Sequence, residues 1–272
     1  MENHDLDNDF AGRPKKSLGQ NFLTSKGALE KIAETADIKN DDIILEIGPG
    51  KGALTHEILN KKPKKVLAVE KDESLIPFLA ENFKENIQKG ELILKNRDIL
   101  EFDEEKEELL SPKYKVVANI PYYITGQFIR KFLSSKNKPE KMVLLVQKEV
   151  AERITARDGK ESVLSNSVKV YGEPHFIEKV KKGSFFPAPN VDSAILLIDK
   201  IIDNFKNDKK EKRFFEMLHA GFAQKRKMLL GNLSGIFGGR ESAEKIILKC
   251  KINPKDRAEN LKLENWLCLS EN

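Results

Sequence analysis

The feature that most constrains this 272-residue sequence is an alternation of short β-branched runs with amphipathic stretches of helix length. It begins near Ile43 and continues to about residue 200. Strands that alternate with helices are joined by right-handed crossovers, which produce a mostly parallel sheet with helices on both faces. The predicted strands are Ile43–Ile47, Val66–Glu70, Leu92–Lys95, Lys115–Ala118 and Met142–Val146, and a further apolar run follows at Val191–Ile198.

The pattern changes after Lys200, where the strand signals stop. Helical periodicity is found in Phe205–Leu233, Ser242–Cys250 and Leu263–Leu269, with a break at Gly235–Gly239. Residues 1–12 are polar and acidic without any period, so we predict a disordered tail there. The predicted organisation is therefore this tail, an α/β domain over residues 13–200 and a small helical domain over residues 201–272.

Composition excludes several classes of protein. Hydrophobic residues make up 39% of the chain, which is enough for a packed core and argues against general disorder. The longest apolar runs have five residues, whereas a membrane span needs ~20, and the acidic N-terminus fits no secretory signal. Cys250 and Cys268 make no disulfide framework, and four scattered histidines have no metal-ligand spacing. We expect a soluble, cytoplasmic, monomeric protein without a metal.

The distribution of charge points to a polyanionic partner. The formal net charge is only +5, but Phe205–Lys227 contains eight lysines and arginines against three acidic residues. A basic segment on an otherwise balanced chain suggests binding to nucleic acid. The alternative is that this basic segment is only the solvated face of a helix.

A glycine-rich loop follows the first predicted strand. Gly48, Gly50 and Gly52 have the spacing G-x-G-x-G, and Glu70 ends the next strand twenty residues after Gly50. Glycines let the backbone approach a ligand, and a carboxylate at that separation can accept both hydroxyl protons of a ribose. The alternative is that the glycines mark an ordinary turn, but the glycine loop together with Glu70 at this separation favours a site for a nucleoside cofactor.

The details of this loop favour S-adenosylmethionine over NAD. The third glycine comes one residue earlier than in the dinucleotide fingerprint, and Glu46 precedes the loop. A negative charge there would repel a pyrophosphate but would suit a cationic sulfonium. Asp98 could accept the adenine amino group of the cofactor, or it could be a helix N-cap before Ile99.

The tetrapeptide Asn119-Ile120-Pro121-Tyr122 resembles the catalytic motif of amino-group adenine methyltransferases. The other similar segments narrow the resemblance to the KsgA-type small-subunit ribosomal RNA adenine dimethyltransferases. They follow the family's order and are Lys16–Leu23, Leu45–Thr55, Gln147–Arg153, Phe185–Ala194, Phe222–Lys227 and Arg257–Leu261. The resemblance implies a Rossmann-like class I S-adenosylmethionine-dependent methyltransferase sheet with a small C-terminal all-helical domain.

The chemistry explains these residue types. The Asn119 side-chain oxygen and the Ile120 carbonyl would accept the two protons of an adenine amino group and direct its lone pair at the methyl group. Pro121 fixes the turn, and Tyr122 offers a face on which an extruded base can stack. The alternative is an Asn-Pro turn with a buried tyrosine.

The resemblance also implies further site residues. Asn21 and Leu23 would lie over the cofactor, and Phe185 or Phe186 would form the second face of a base sandwich. Tyr123 stands where an asparagine is common. The remaining implied residues are Gly48, Glu70, Asp98 and Asn119 at the cofactor, and Lys225, Arg226 and Lys227 at rRNA phosphates.

The implied activity is dimethylation of N6 in two adjacent adenosines near the 3′ end of 16S rRNA, in the small ribosomal subunit. One other candidate is a 23S rRNA adenine methyltransferase of the macrolide-resistance type. Another is a DNA adenine methyltransferase, which fits the catalytic motif but not the C-terminal domain. A non-catalytic nucleic-acid-binding assembly or transcription factor and an NAD oxidoreductase are the remaining alternatives.

Overall fold

The computed structural model describes residues 14–104, 106–107, 113–205 and 207–272. The predicted tail over residues 1–12 lies outside them. The chain divides into two compact units, the first formed by residues up to 148 together with 175–201, and the second by residues 149–174 and 202–272. Residues 149–174 therefore belong with the C-terminal helices, although the sequence placed them in the first domain. Their packing explains this, since the Tyr171 ring lies 5.8 Å from that of Phe205 and 6.4 Å from that of Phe215.

The strands form one large sheet and one small sheet. The large sheet has seven strands in the order β4-β3-β2-β5-β6-β9-β7, and β1 pairs with β8 in a separate two-stranded sheet. Strands β2 to β6 are parallel to their neighbours, whereas β9 runs antiparallel to β6. The bounds are β1 Phe22–Leu23, β2 Ile43–Ile47, β3 Lys65–Glu70, β4 Leu92–Asn96, β5 Lys115–Asn119, β6 Lys141–Gln147, β7 Glu173–Val180, β8 Phe185–Phe186 and β9 Ser193–Asp199.

The central strands are buried on both faces. Leu45, Leu67, Val117 and Leu144 are completely inaccessible, which explains why these strands appear as continuous apolar runs instead of alternating patterns. The predicted α/β class is confirmed. Strand β7 was not predicted, because its sequence, Glu173–Val180, mixes charged residues with a proline, as is common at a sheet edge.

Helices flank the strands in sequence and make up most of the second unit. Their bounds are α1 Lys26–Thr35, α2 Ala53–Asn60, α3 Ile76–Asn82, α4 Lys84–Gln88, α5 Thr125–Ser134, α6 Lys148–Thr155, α7 Val163–Lys169, α8 Asp208–Gly221, α9 Leu229–Leu233, α10 Arg240–Lys249 and α11 Leu263–Ser270. No helix within the described ranges is long and apolar enough to cross a membrane.

The predicted helix over Phe205–Leu233 is wrong, because the chain forms two helices there, α8 and α9. Helix α8 ends at Gly221, where a Cβ atom would lie 2.3 Å from the buried Trp266 ring. The Asn232 amide donates to the Gly221 carbonyl at 2.6 Å and so satisfies a group that the helix end leaves free.

A disulfide joins Cys250, at the end of α10, to Cys268 in α11, with their Cα atoms 5.7 Å apart. No sequence pattern predicted that these two cysteines would pair. The bond fixes the last helix to the one before it.

Candidate active site

A cavity opens at the carboxyl ends of the parallel strands, next to β2. The strand that follows β2 in the sequence, β3, lies on one side of it in the sheet, and β5 lies on the other side. Such a switch in strand order is where open α/β sheets bind ligands. The loops after β2, β3, β4 and β5 form its walls. The N-terminal strap, which we define as residues 15–24, contributes five lining residues, Leu18, Gly19, Gln20, Asn21 and Phe22.

The glycine loop forms the floor of this cavity. Gly48 and Gly50 have φ values of +67° and +60°, a conformation that glycine adopts without strain. A Cβ atom would lie 3.2 Å from the Asn119 carbonyl oxygen at Gly48 and 2.9 Å from the Phe22 ring at Gly50. The absence of a side chain at Gly50 therefore lets Phe22 of the strap pack against the loop.

Glu70 lies at the end of β3, and only 6% of its surface is exposed. One carboxyl oxygen accepts the Gly50 N–H at 3.1 Å, and the other accepts the Asp72 N–H at 2.8 Å. Burial raises the pKa of Glu70, although these two N–H groups oppose that effect. Because a carboxylate has about four acceptor positions, Glu70 retains two for the hydroxyls of a ribose.

Asp98 is no helix N-cap, because residues 99–101 form a turn, and its contact with the adenine amino group stays a prediction. One oxygen accepts the Leu100 N–H at 2.9 Å, which closes a turn, and the other accepts from the Lys71 ammonium at 2.7 Å. Burial alone would raise the pKa of Asp98, but the Lys71 and Leu100 donors hold it below its usual value. Asp98 also lines the cavity, so its ionised carboxylate can accept a further hydrogen bond from a ligand.

The predicted catalytic tetrapeptide lines the opposite wall. The Asn119 amide nitrogen donates to the Asn21 carbonyl at 3.3 Å, and the Tyr122 hydroxyl lies 2.6 Å from the Ser193 hydroxyl. Burial raises the pKa of Tyr122, so the phenol stays neutral. Both side chains are therefore held in place by the protein. Ile120 is buried beside them, and Pro121 precedes a short 3-10 turn over Tyr122–Ile124.

The structure places Phe185 in the cavity wall and Phe186 outside it. Phe185 is 5% exposed and lines the cavity, whereas Phe186 is 63% exposed. Consecutive residues of a strand point to opposite sides, so only one of the two can face a base at Tyr122. Of the two, Phe185 lines the cavity, so we expect it to be the residue that stacks.

One detail of the sequence interpretation is wrong. Glu46 is fully buried within β2 and does not line the cavity, so it offers no charge to a bound sulfonium. Burial, with the Glu70 charge nearby, raises the pKa of Glu46 to about 8, which keeps it protonated at neutral pH. The Leu23 side chain is buried in the apolar core next to the lining residue Phe22, and its assignment to the cofactor stays a prediction.

Several lining residues were not predicted. Gln20, Phe22, Lys71 and Arg97 all border the cavity. The first two lie within a segment that the family resemblance had singled out, but no spacing rule assigned them a role. Tyr123, which the resemblance had led us to expect at the wall of the target pocket, lines the cavity and packs its ring against Gly19 in the strap, where a Cβ atom would lie 3.3 Å away.

Lys225, Arg226 and Lys227 lie in the second unit, in the turn between α8 and α9, and all three are exposed. They were predicted on a helix, which is wrong because α8 ends at Gly221. A turn presents all three side chains to solvent, instead of distributing them around a helix.

The fold and this cavity define a Rossmann-like methyltransferase. Two solved structures share the architecture, each with a TM-score of 0.76: the 23S rRNA methyltransferase ErmE and a dimethyladenosine transferase from Plasmodium falciparum. ErmE is 26% identical and covers 92% of this chain and 98% of its own. The Plasmodium enzyme is 27% identical, with coverage of 91% and 95%.

Sequence comparison defines the family. Residues 12–272 match the family described as ribosomal RNA adenine dimethylase. A relative from Dehalococcoides mccartyi strain CBDB1, named ribosomal RNA small subunit methyltransferase A, is 43% identical over 260 residues, which cover 94% of this chain and 88% of the relative. A relative of the same name from Clostridium botulinum strain ATCC 19397 is 36% identical, with coverage of 100% and 98%. The chain belongs to the ribosomal RNA adenine dimethylase family, and the predicted resemblance is confirmed.

Proposed function

We propose that this enzyme transfers methyl groups from S-adenosylmethionine to N6 of two adjacent adenosines near the 3′ end of 16S rRNA. Two methyl groups on each adenosine consume four donor molecules. The observation that carries the proposal is a single cavity in which Gly48, Glu70 and Asn119 meet the aromatic rings of Tyr122 and Phe185. The names of the curated relatives support the small ribosomal subunit as the source of the RNA.

The cavity suits the donor on chemical grounds. Glu70 has acceptor positions for two ribose hydroxyls, Asp98 can accept from an adenine amino group, and the backbone at Gly48 and Gly50 allows close approach. When bound, S-adenosylmethionine supplies an electrophilic methyl group on a sulfonium. Asn21, in the strap, covers the same cavity.

The tetrapeptide prepares the adenine nitrogen for attack. The N6 lone pair is delocalised into the ring, so N6 is a weak nucleophile. Hydrogen bonds donated by the N6 hydrogens to Asn119 Oδ1 and the Ile120 carbonyl would favour a pyramidal nitrogen whose lone pair points at the methyl carbon. The N6–C bond would form as the S–C bond breaks, so S-adenosylhomocysteine would leave as a neutral thioether and the proton lost from N6 in each transfer would pass to water. Positioning and electrostatics supply the catalysis, without a strong base.

The aromatic residues hold the base during transfer. Tyr122 and Phe185 would stack on the two faces of an adenine extruded from its RNA stack. Lys225, Arg226 and Lys227 would contact phosphates and so orient the RNA without reading its sequence. That the enzyme acts as a monomer in the cytoplasm stays a prediction.

Labelled S-adenosylmethionine and unmethylated ribosomal subunits test the proposal. We expect label on N6 of two adjacent adenosines near the 3′ end of 16S rRNA, with dimethyladenosine as the product. The similarity to ErmE makes 23S rRNA the second candidate. Label confined to large subunits would overturn the assignment to 16S rRNA, and label on neither subunit would overturn rRNA methylation.

A further inference from the structure

The strap is attached at its first end to Asp72, which lies in the loop after β3. The Lys15 ammonium donates to Asp72 Oδ1 at 2.5 Å, and the Gln20 amide donates to Asp72 Oδ2 at 2.7 Å. The Lys15 N–H also donates to Gln20 Oε1 at 2.7 Å, so the two strap residues brace each other. One carboxylate thus holds the strap at two points.

Asp72 is itself rigidly held. It is only 3% exposed, and Oδ1 also accepts from the Ser74 N–H at 3.1 Å and the Ser74 hydroxyl at 2.6 Å. Burial alone would raise its pKa, but the donors on Lys15, Ser74 and Gln20 outweigh burial and lower the pKa to about 2. The carboxylate is therefore ionised across the physiological range, and charge-assisted hydrogen bonds of this kind are the stronger ones.

The other end of the strap is attached to the aromatic wall. Phe22 pairs with Phe186 and Leu23 with Phe185 in the small sheet, and the Thr24 N–H donates to the Ser184 carbonyl at 2.8 Å. Between the two attachments, the Asn21 carbonyl accepts the amide of Asn119. The position of that carbonyl depends on both ends of the strap.

We propose that Asp72 is a positioning residue that latches the strap over the cofactor cavity and thereby fixes the Asn21 carbonyl that orients Asn119. The proposal rests on the catalytic role of Asn119 proposed above. Asp72 does not line the cavity. Its effect on the reaction passes through Lys15 and Gln20.

Hydrogen exchange of the isolated enzyme tests the latch without any RNA. In Lys15→Met and in Asp72→Asn, amides of residues 18–22 should exchange roughly three- to tenfold faster. Lys15→Met removes the ammonium donor to Asp72, and Asp72→Asn removes the charge that strengthens both hydrogen bonds from the strap, which are partly exposed to solvent. Lys39→Met is the matched control, since Lys39 forms a 2.6 Å pair with Asp37 away from the cavity. It should leave exchange of the strap unchanged, and Lys15→Arg should restore slow exchange.

Kinetics test whether the latch positions Asn119. Lys15→Met should lower kcat roughly three- to tenfold, and combining it with Asp72→Asn should cost no more than Asp72→Asn alone. Unchanged strap exchange in Lys15→Met overturns the latch. Faster exchange with an unchanged kcat overturns the positioning of Asn119. A wild-type enzyme that methylates no rRNA would contradict the proposed function, but the exchange measurements would still test the latch.

Discussion

The side-chain amide nitrogen of Asn119 donates a hydrogen bond to the backbone carbonyl of Asn21, a residue that lies 98 positions earlier in the chain. This contact fixes which end of the amide faces the strap and leaves Oδ1 as the acceptor for a substrate. A strand end alone would not select between the two orientations of an amide. The strap therefore both lines the cavity and orients the Asn119 amide.

Asn119→Ala should lower kcat by roughly 10²–10³-fold, which corresponds to about 3–4 kcal/mol, because one of two acceptors for the N6 protons is removed. RNA affinity should change little, since phosphate contacts dominate it. Asn60→Ala, at an exposed position on α2, is the control and should retain wild-type turnover. Single-turnover methylation of small subunits measures the effect. Wild-type turnover by a folded Asn119→Ala enzyme would contradict the mechanism.

Glu70→Gln should weaken S-adenosylmethionine binding by roughly 1.5–3 kcal/mol. Glutamine has a single acceptor oxygen, while two backbone N–H groups and the ribose hydroxyls all require acceptors. Titration calorimetry gives the dissociation constant directly. Glu73→Gln, an exposed change three residues further on, should bind the donor normally. Equal affinities of the two variants would remove Glu70 from the site.

Glu46→Gln should change how stability depends on pH. Between the ordinary pKa of 4.5 and about 8, the folded chain keeps a proton on Glu46 that the unfolded chain releases. The free energy of unfolding should therefore fall as pH rises through this window, by up to about 1.4 kcal/mol per pH unit from this residue. Urea unfolding of both proteins across that range should show the loss in the wild type and a flatter profile in Glu46→Gln. Parallel profiles would mean that Glu46 is ionised when buried.

Neutralising Lys225, Arg226 and Lys227 together should weaken RNA binding and flatten its salt dependence, by roughly 0.7–0.9 in log–log slope for each phosphate that the variant no longer neutralises. Donor binding should be unaffected. Neutralising the exposed lysines 61, 62 and 64 of the first unit removes the same charge and serves as the control. If both triple variants show the same slope, the basic turn makes no specific contact with phosphates.

The sequence predicted the central sheet well because its strands are buried on both faces. Runs such as Ile43–Ile47 and Met142–Val146 appear as unbroken apolar segments, and the observed strands match them within a residue at each end. The cavity residues Gly48, Glu70, Asp98 and Asn119 follow directly from strand ends, where parallel strands bring their loops together.

Features that depend on distant contacts could not be predicted in this way. The end of α8 depends on Trp266, which is 45 residues beyond Gly221 in the sequence. Strand β1 has only two residues and exists because β8 pairs with it. Glu46 is buried because it lies inside strand β2. Its distance in sequence from the glycine loop does not show this, so spacing alone wrongly made its carboxylate available to the ligand.

The pairing of β1 with β8 connects the donor side of the cavity to its base side, because the strap carries one strand and Phe185 lies in the other. Because the two strands are hydrogen-bonded, we expect a ligand that restrains one strand to restrain the other. If donor and RNA both do so, the first to bind meets the entropic cost and the second binds more tightly. Linkage requires the gain to be mutual, so the donor should raise the affinity for RNA by the same factor by which RNA raises the affinity for the donor.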